Sequence, residues 1–371
     1  MTRSVGPEVR GEYVYIVSLA TMLSSILTLS IHNVIHEKGF QEIKQKVFFS
    51  FFCLLLLVLI ITFLFIYSLG ISPFWLLINL FSISILVEWA VLQYLLSKGN
   101  QEKCNSLILG ASFLNFFCVL AASYFLPNLV MMICAFFISR AFYFFTFLDC
   151  FLKYKTELFY IFSKPAKFFY VISRSKYIYA GSVGLILIGQ LDIILLGLVK
   201  GNNVEIANYQ LALQLLSLFY ILAQSVSAYV YADIKTLGEK NGFNNIKKLL
   251  LNLPLFMLFT AMICYFLLPY IIPIFGVGFD ATRVYFLIVM FSVPIMSIKY
   301  IMEPLIFYHG LGKLNSISVV TSGIVVVIIN AIFIPHFGAT ASAYAIVLSS
   351  LMQGGVLLIL YKRIKNRIAD V

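Results

Sequence analysis

Charged residues are scarce in this chain of 371 residues, because Asp, Glu, Lys and Arg together make up 11% of it. Soluble domains contain about 25% charged residues, which keep their surfaces hydrated. Apolar residues reach 62% here, against about 45–50% in soluble domains. The shortage of charge therefore excludes a water-soluble fold and indicates a protein that resides in a bilayer.

The sequence also lacks the short motifs that carry common enzyme chemistry. It has no Gly-rich phosphate loop with a lysine, no HExxH pair and no nucleophile elbow around a serine. The six cysteines show no CxxC or other metal-binding spacing, and the four histidines lie near the ends of apolar runs. These gaps predict that the protein is not an enzyme and holds neither a metal ion nor a cofactor.

Apolar runs of the length that crosses a bilayer, about 20 residues, recur along the whole chain. Two runs are too long for one crossing, and Gly and Pro mark fold-backs at Gly70–Pro73 and at Pro127–Asn128. We therefore predict an all-α polytopic membrane protein with about eleven transmembrane helices. The predicted spans are 13–35, 47–69, 73–96, 106–126, 129–152, 177–199, 206–231, 249–275, 283–308, 314–334 and 339–361.

The positive charge of the chain is distributed unevenly between alternate loops. Twenty of the 26 lysine and arginine residues lie in one set of loops and four in the other. Cytoplasmic loops carry the excess of Lys and Arg, so we predict a cytoplasmic C-terminus and an external N-terminus. The net charge of +11 then belongs to loops at the membrane surface, and we predict no nucleic-acid partner.

The longest loop, residues 153–176, is basic and aromatic, and it divides the spans into five and six. Such a composition suits an interfacial segment on the anionic leaflet, and a plain linker that obeys the positive-inside rule is the simpler explanation. We predict an N-terminal helical lobe at 1–152, a basic cytoplasmic linker at 153–176 and a C-terminal helical lobe at 177–371. The two lobes are expected to enclose a central cavity.

Ionisable residues inside spans are costly and therefore mark functional sites by default. Arg140 lies about midway along its span, and we predict that it faces a substrate cavity rather than the carbonyl groups of a neighbouring helix. Asp192 is the one charged residue in the apolar run from Ile178 to Val199. It is either a hydrogen-bonding group that fixes packing, a protonatable or cation-binding carboxylate, or the partner of Arg140.

Three further charged residues fall inside spans. Lys299 and Glu303 are four residues apart and share a helix face, so they form a local ion pair or contribute separately to a cavity. Glu88 is either a packed carboxyl group or a cavity residue. A polar stripe accompanies these charges, because Gln210, Gln214, Ser217 and Gln224 lie on one face of their helix. We predict that this stripe lines a wet groove rather than an interhelical contact.

Several stretches together resemble a known family. They are "VGPEVRGEYVYIVSLATMLSSILTLSI", "GQLDIILLGLVKGNNVEIANYQLALQLLSL", "PIFGVGFDATRVYFLIV", "FYHGLGKLNSISVV" and "NAIFIPHFGATASAYAIVLSS". In this order they are similar to the Wzx-type polysaccharide-biosynthesis flippases of the multidrug/oligosaccharidyl-lipid/polysaccharide exporter superfamily. The family pattern has twelve helices with both ends in the cytoplasm, and this chain matches it without the first helix.

The resemblance implies a transporter in the bacterial cytoplasmic membrane. It would flip a polyprenyl-pyrophosphate-linked oligosaccharide, an O-antigen or capsule repeat unit on its way to lipopolysaccharide or another surface polysaccharide. Coupling to a proton or a sodium ion is part of this expectation. The expected substrate-cavity residues are Arg140, Lys299, Gln210, Gln214 and Gln224, and the expected ion-coupling residues or charge partners are Asp192, Glu88 and Glu303.

Two alternatives remain open on the sequence alone. A cation-coupled multidrug exporter of the same architecture would favour acidic residues over arginine in its cavity, and a drug-susceptibility assay separates it from a flippase. A membrane-bound polymerase or acyltransferase of surface polysaccharides would need a large external loop or a catalytic His or Asp motif. The predicted external loops are instead very short.

Overall fold

The computed structural model describes residues 2–28, 41–70, 72–97, 100–125, 128–154, 160–308 and 311–369. All regular secondary structure in these ranges is helical, so the prediction of an all-α polytopic protein is confirmed. The helices are α1 Thr2–Leu27, α2 Gln41–Ser68, α3 Pro73–Ser97, α4 Gln101–Phe125, α5 Leu129–Tyr154, α6 Tyr160–Ser163, α7 Pro165–Gly189, α8 Leu191–Val199, α9 Asn203–Phe275, α10 Thr282–Val289, α11 Ser292–Tyr308, α12 Gly312–Phe337 and α13 Ala339–Ala369.

Seven helices in the described part of the chain are long and apolar enough to cross a membrane, and two bent helix pairs raise this number to nine. The bent pairs are Tyr179–Gly189 with Leu191–Val199, at 45°, and Thr282–Val289 with Ser292–Glu303, at 46°. All nine overlap predicted spans. The predicted spans 13–35 and 106–126 extend beyond the described residues, and the predicted total of eleven is not confirmed.

Large apolar side chains cover much of the outer surface of these helices. On α2, for example, Leu57, Ile61 and Phe65 are each more than half exposed. Soluble proteins rarely expose contiguous apolar surface on this scale, whereas lipid covers it without cost. The chain is therefore a multi-pass membrane protein.

The contacts of the chain separate two compact units. Unit 1 consists chiefly of Glu12–Val183, and unit 2 consists of Gly6–Gly11 and Gly184–Val371. The boundaries between the two units thus fall inside helices, in α1 and in α7. The predicted division at residues 152 and 177 stays a prediction.

Unit 1 is held together by aromatic packing. Phe81 of α3 lies 4.3 Å from Phe136 of α5, measured between ring centroids, and both belong to one buried cluster with Ile16 of α1. The turn between α2 and α3 falls where the sequence predicted it. Gly70 has a φ of 63° there, a conformation that glycine adopts without strain.

Unit 2 contains two close helix approaches. A side chain at Gly184 of α7 would meet the backbone of α12 at Val319, 2.9 Å away, so glycine permits this contact. The other approach packs α9 against α11, with Met302 and Ile306 in a buried cluster. α7 itself begins at Pro165, twelve residues before the predicted span, because proline suits the first turn of a helix.

Candidate functional site

In unit 1, Arg140 of α5 and Glu88 of α3 form an ion pair. Arg140 Nε donates to Glu88 Oε2 at 2.9 Å, and the guanidinium group lies 3.6 Å from the centroid of the Phe136 ring. Both side chains are 21% exposed. The pair compensates two charges that lipid cannot solvate, and its partial exposure leaves both groups accessible.

The sequence placed these two residues in different roles. Arg140 was predicted to bind substrate and Glu88 to couple an ion or supply a counter-charge, and the structure brings them into one contact. Asp192 was one candidate partner for Arg140, and Glu88 takes that place in the structure. The cavity and coupling roles of Arg140 and Glu88 stay predictions.

In unit 2, Asp192 is fully buried and engages donors with both carboxylate oxygens. Its Oδ1 accepts from the Ile193 backbone N–H at 2.7 Å, and its Oδ2 accepts from the Tyr209 hydroxyl. The chain bends between Gly189 and Leu191, so Asp192 lies in the first turn of α8 beside α9. In this conformation the carboxylate is a sealed structural link between these two helices.

The predicted polar stripe runs along the first half of α9. Gln214, Ser217 and Gln224 are exposed, and Gln210 is partly buried. Gln224 Nε2 donates to the Tyr300 hydroxyl of α11 at 3.1 Å. Hydrocarbon offers no hydrogen bonds to such groups, so an exposed amide face on a span-length helix requires water or a polar ligand beside it.

Lys299 and Glu303 of α11 have different surroundings. Lys299 is 4% exposed, and its ammonium group lies 5.9 Å from the centroid of the Tyr300 ring. Glu303 Oε1 accepts from Asn315 Nδ2 of α12 at 3.1 Å. Among the residues that the structure describes, no carboxylate oxygen lies within 4 Å of the Lys299 ammonium group. The local ion pair is therefore absent from this conformation.

Arg10 is a buried charged residue that the sequence reasoning did not select. It is 7% exposed, its Nη2 donates to Gln214 Oε1, and its guanidinium carbon lies 5.6 Å from the Phe279 ring centroid. One signal in the sequence pointed to it. Arg10 is one of only four cations on the side of the membrane that the loop charges predict to be poor in Lys and Arg.

Two polar contacts fix the segments around Arg10 and the Asn203 end of α9. Asn208 Nδ2 donates to the Gly278 carbonyl at 2.8 Å, and Asn208 Oδ1 accepts from the Thr282 N–H at 3.0 Å. Asn208 thereby holds the loop before α10, which carries Phe279, against α9. Pro7 packs on Gly278 of the same loop.

Glu205 makes the second contact, between the start of α9 and the start of α13. Its Oε1 accepts from the Ala339 backbone N–H at 2.6 Å, and a carboxylate is favourable at the positive N-terminal end of a helix. Gly338 precedes that helix with a φ of 58°, and a Cβ there would collide with the Glu205 carboxylate. The Asn203 end of α9 is therefore anchored to α10 and α13.

A metal cluster and an apolar pocket are two other kinds of feature that could form a site. Within the described residues, no group of three or more His, Cys, Asp or Glu side chains could hold a metal ion. An apolar groove of about 300 Å³ lies between α12 and α13, lined by residues such as Phe333, Phe337 and Tyr344. It offers sugars almost no hydrogen-bonding groups and is thus separate in character from the polar face of α9.

Comparison with known proteins agrees with this architecture. No protein-family model and no curated protein matches the chain. Among solved structures, it is similar to "Lipid II flippase MurJ, inward closed conformation", with a TM-score of 0.70. The match covers 97% of this chain and 83% of that chain, at 16% sequence identity. The chain therefore shares the polytopic fold of that structure.

Proposed function

We propose that the protein is a transporter that flips a polyprenyl-pyrophosphate-linked oligosaccharide across the bacterial cytoplasmic membrane. An O-antigen or capsule repeat unit is the substrate that the sequence resemblance favours. The structural neighbour is named a lipid II flippase, and the shared fold supports a lipid-linked substrate in general. The C-terminus is cytoplasmic in this proposal, as the loop charges indicate.

The exposed polar face of α9 is the observation that carries the proposal. A sugar chain presents many hydroxyl groups that must stay hydrogen-bonded while they cross the hydrocarbon layer. Gln214, Ser217 and Gln224 offer both donors and acceptors along a helix that is long enough to span the membrane. The polyprenyl tail needs no such groups and can stay in lipid.

Two sources of driving force are available for this substrate. An inside-negative potential favours outward movement of an anion by about 2.3 kcal/mol per charge per 100 mV, and the pyrophosphate is anionic. Coupling to a proton or a sodium ion would add to this force. Asp192 is one candidate for that role, in a conformation that separates it from Tyr209. Glu88 and Glu303 are the other candidates.

The test replaces two polar residues of the α9 face by leucine, and the one interhelical hydrogen bond that this removes, from Gln224 to Tyr300, is controlled separately. We expect the double variant Ser217→Leu/Gln224→Leu to insert in the membrane normally and to flip a fluorescent lipid-linked oligosaccharide at least tenfold more slowly in proteoliposomes. The estimate assumes about 1 kcal/mol for each lost hydrogen bond to the moving sugar.

Tyr300→Phe is the matched control for this experiment. It removes the hydrogen bond that Gln224 makes to α11 and leaves the polar face intact, so we expect transport close to that of the wild type. A double variant that flips the probe at the wild-type rate would show that the α9 face does not carry the substrate.

A further inference from the structure

The charge of Arg10 is not compensated by a carboxylate in the described residues, where its one hydrogen-bond acceptor is the neutral amide of Gln214. Burying a cation without an acidic partner is costly. The Phe279 ring lowers this cost only modestly, since cation–π contacts contribute about 0.5–2 kcal/mol. A buried, uncompensated cation beside an exposed amide face is the arrangement that an anionic ligand completes.

The geometry of a guanidinium group defines which anion fits. Arginine has five N–H donors in a planar fork, and Gln214 uses one of its nitrogens. The fork matches two oxygens of a phosphate group in a bidentate contact. Gln214 is exposed, so a phosphate can approach Arg10 past its amide and join or replace it as the acceptor.

Gln210 provides a second, independent indication of a ligand. It lies one helical turn from Gln214 on the same face of α9, about 6 Å away at the Cβ atoms. Its Oε1 atom is buried and has no hydrogen-bond partner in the described part of the chain. A buried acceptor of this kind can take a donor from outside the chain, either water or a ligand, and a sugar hydroxyl is such a donor.

From these contacts we propose that Arg10, Gln214 and Gln210 form a binding site for a phosphate or pyrophosphate ester that carries a sugar. Arg10 binds the phosphate oxygens, Gln214 orients the guanidinium group, and Gln210 accepts a hydrogen bond from the attached sugar. This proposal rests on the proposed function and extends it, because it places the pyrophosphate that joins the lipid to the sugar at the Asn203 end of α9.

The other buried cations are less suited to this task. Arg140 is already paired with Glu88 at 2.9 Å, so an anion would have to displace a carboxylate. Lys299 lies one turn from Glu303 on the same helix, and its compact ammonium group lacks the planar fork. Arg10 alone among these three combines a buried charge with an uncharged acceptor.

The experiment measures binding to the purified full-length protein in detergent by titration calorimetry. The probes are farnesyl pyrophosphate, farnesyl-pyrophosphoryl-N-acetylglucosamine and inorganic pyrophosphate. We expect Arg10→Gln to raise the Kd of both farnesyl probes by at least about tenfold, the loss expected for a charge-assisted contact. Gln210→Leu should raise Kd by about fivefold for the sugar-bearing probe only. Lys200→Gln, which removes an exposed cation from the same end of unit 2, should leave Kd within about twofold.

Gln214→Glu keeps the test decisive even where Arg10→Gln fails to fold. It supplies the missing carboxylate, so the protein should unfold at the same temperature as the wild type or higher while its affinity for farnesyl pyrophosphate falls about tenfold. Inorganic pyrophosphate separates the two sources of the anion. If inorganic pyrophosphate competes with farnesyl pyrophosphate for the wild-type protein but not for Arg10→Gln, the site also binds free phosphates. If inorganic pyrophosphate does not compete, the site recognises only the lipid-linked phosphate group.

The results also distinguish the site from the transport function. If folded Arg10→Gln and Gln214→Glu proteins bind the farnesyl probes like the wild type, the site does not exist, whatever the proteoliposome assay shows. If binding depends on Arg10 but wild-type protein flips no lipid-linked oligosaccharide, the site stands and the proposed function fails.

Discussion

Arg140 in unit 1 and Arg10 in unit 2 are both arginines beside an aromatic ring, and they differ in the group that accepts their hydrogen bond. Arg140 meets the carboxylate of Glu88, and Arg10 meets the amide of Gln214. Arg140 is about three times as exposed as Arg10, at 21% for its side chain against 7% for the whole residue. The more exposed cation is therefore the one that is compensated.

This difference runs against what stability alone favours. Water or a counter-charge usually offsets the cost of a buried cation, and the residue with less water also lacks the carboxylate. A structural arginine would be expected to resemble Arg140, with a local partner. The arrangement at Arg10 is easier to explain as a site that awaits an anion, and three changes test this comparison.

The largest effect is expected when Arg140 of unit 1 loses its carboxylate partner and is then uncompensated, as Arg10 of unit 2 is. Glu88→Leu leaves Arg140 without its carboxylate, and we expect the free energy of unfolding to fall by about 2 kcal/mol. This value is smaller than for a sealed ion pair because both side chains are partly exposed. Unfolding of the purified protein in detergent measures it.

A double-mutant cycle controls this prediction. Glu88→Leu/Arg140→Leu removes both charges together, so it should be more stable than Glu88→Leu alone. Equal stability of the single and double variants would mean that the ion pair contributes nothing and that the contrast with Arg10 has no energetic basis.

An intermediate effect is expected at Asp192, the buried carboxylate of unit 2. Tyr209→Phe removes the hydroxyl that donates to Oδ2, and leaving a buried oxygen without its donor costs about 1.5 kcal/mol. Tyr285→Phe is the matched control, since its hydroxyl lies 3.5 Å from Glu205 Oε1, and its loss should cost less. Similar unfolding temperatures for the two variants would contradict a structural role for the Asp192–Tyr209 bond.

The smallest effect is expected from replacing each arginine by lysine. Lysine retains the charge and loses the planar fork. Arg140→Lys should lower the free energy of unfolding by about 1 kcal/mol, and Arg10→Lys by about 0.5 kcal/mol, because a bond to a carboxylate is stronger than one to an amide. A larger loss at Arg10 than at Arg140 would reverse the comparison.

Much of the fold was predictable because its determinants are local. Apolar runs of span length, the glycine turn at Gly70 and the charge distribution in the loops are each written in a few adjacent residues. The predicted span 177–199 matches the apolar segment Tyr179–Val199, whereas the helical conformation of residues 165–176 was not predicted, because their basic character suggested a loop. Pro165 permits a helix to begin there, and basic residues fit a helix at the membrane surface.

The candidate site was less predictable because its contacts join distant residues. Gln214 was selected from the 3.6-residue periodicity of α9, which is a local pattern. Its partner Arg10 is 204 residues away in sequence. In the sequence, Arg10 is only one of the loop charges that predict the orientation in the membrane. The pairing of Arg140 with Glu88 spans 52 residues. A single sequence identifies the charged residues of a membrane protein but not which of them are in contact.

Gly338 and Glu205 lie 133 residues apart in the chain and share one small volume. The carboxylate occupies the space that any side chain at position 338 would need, and the backbone there, with a φ of 58° and a ψ of −140°, has a conformation that essentially only glycine adopts. Gly338 therefore cannot be replaced while Glu205 keeps its place at the start of α13. We expect divergent copies of this protein to retain glycine at 338 together with the carboxylate at 205.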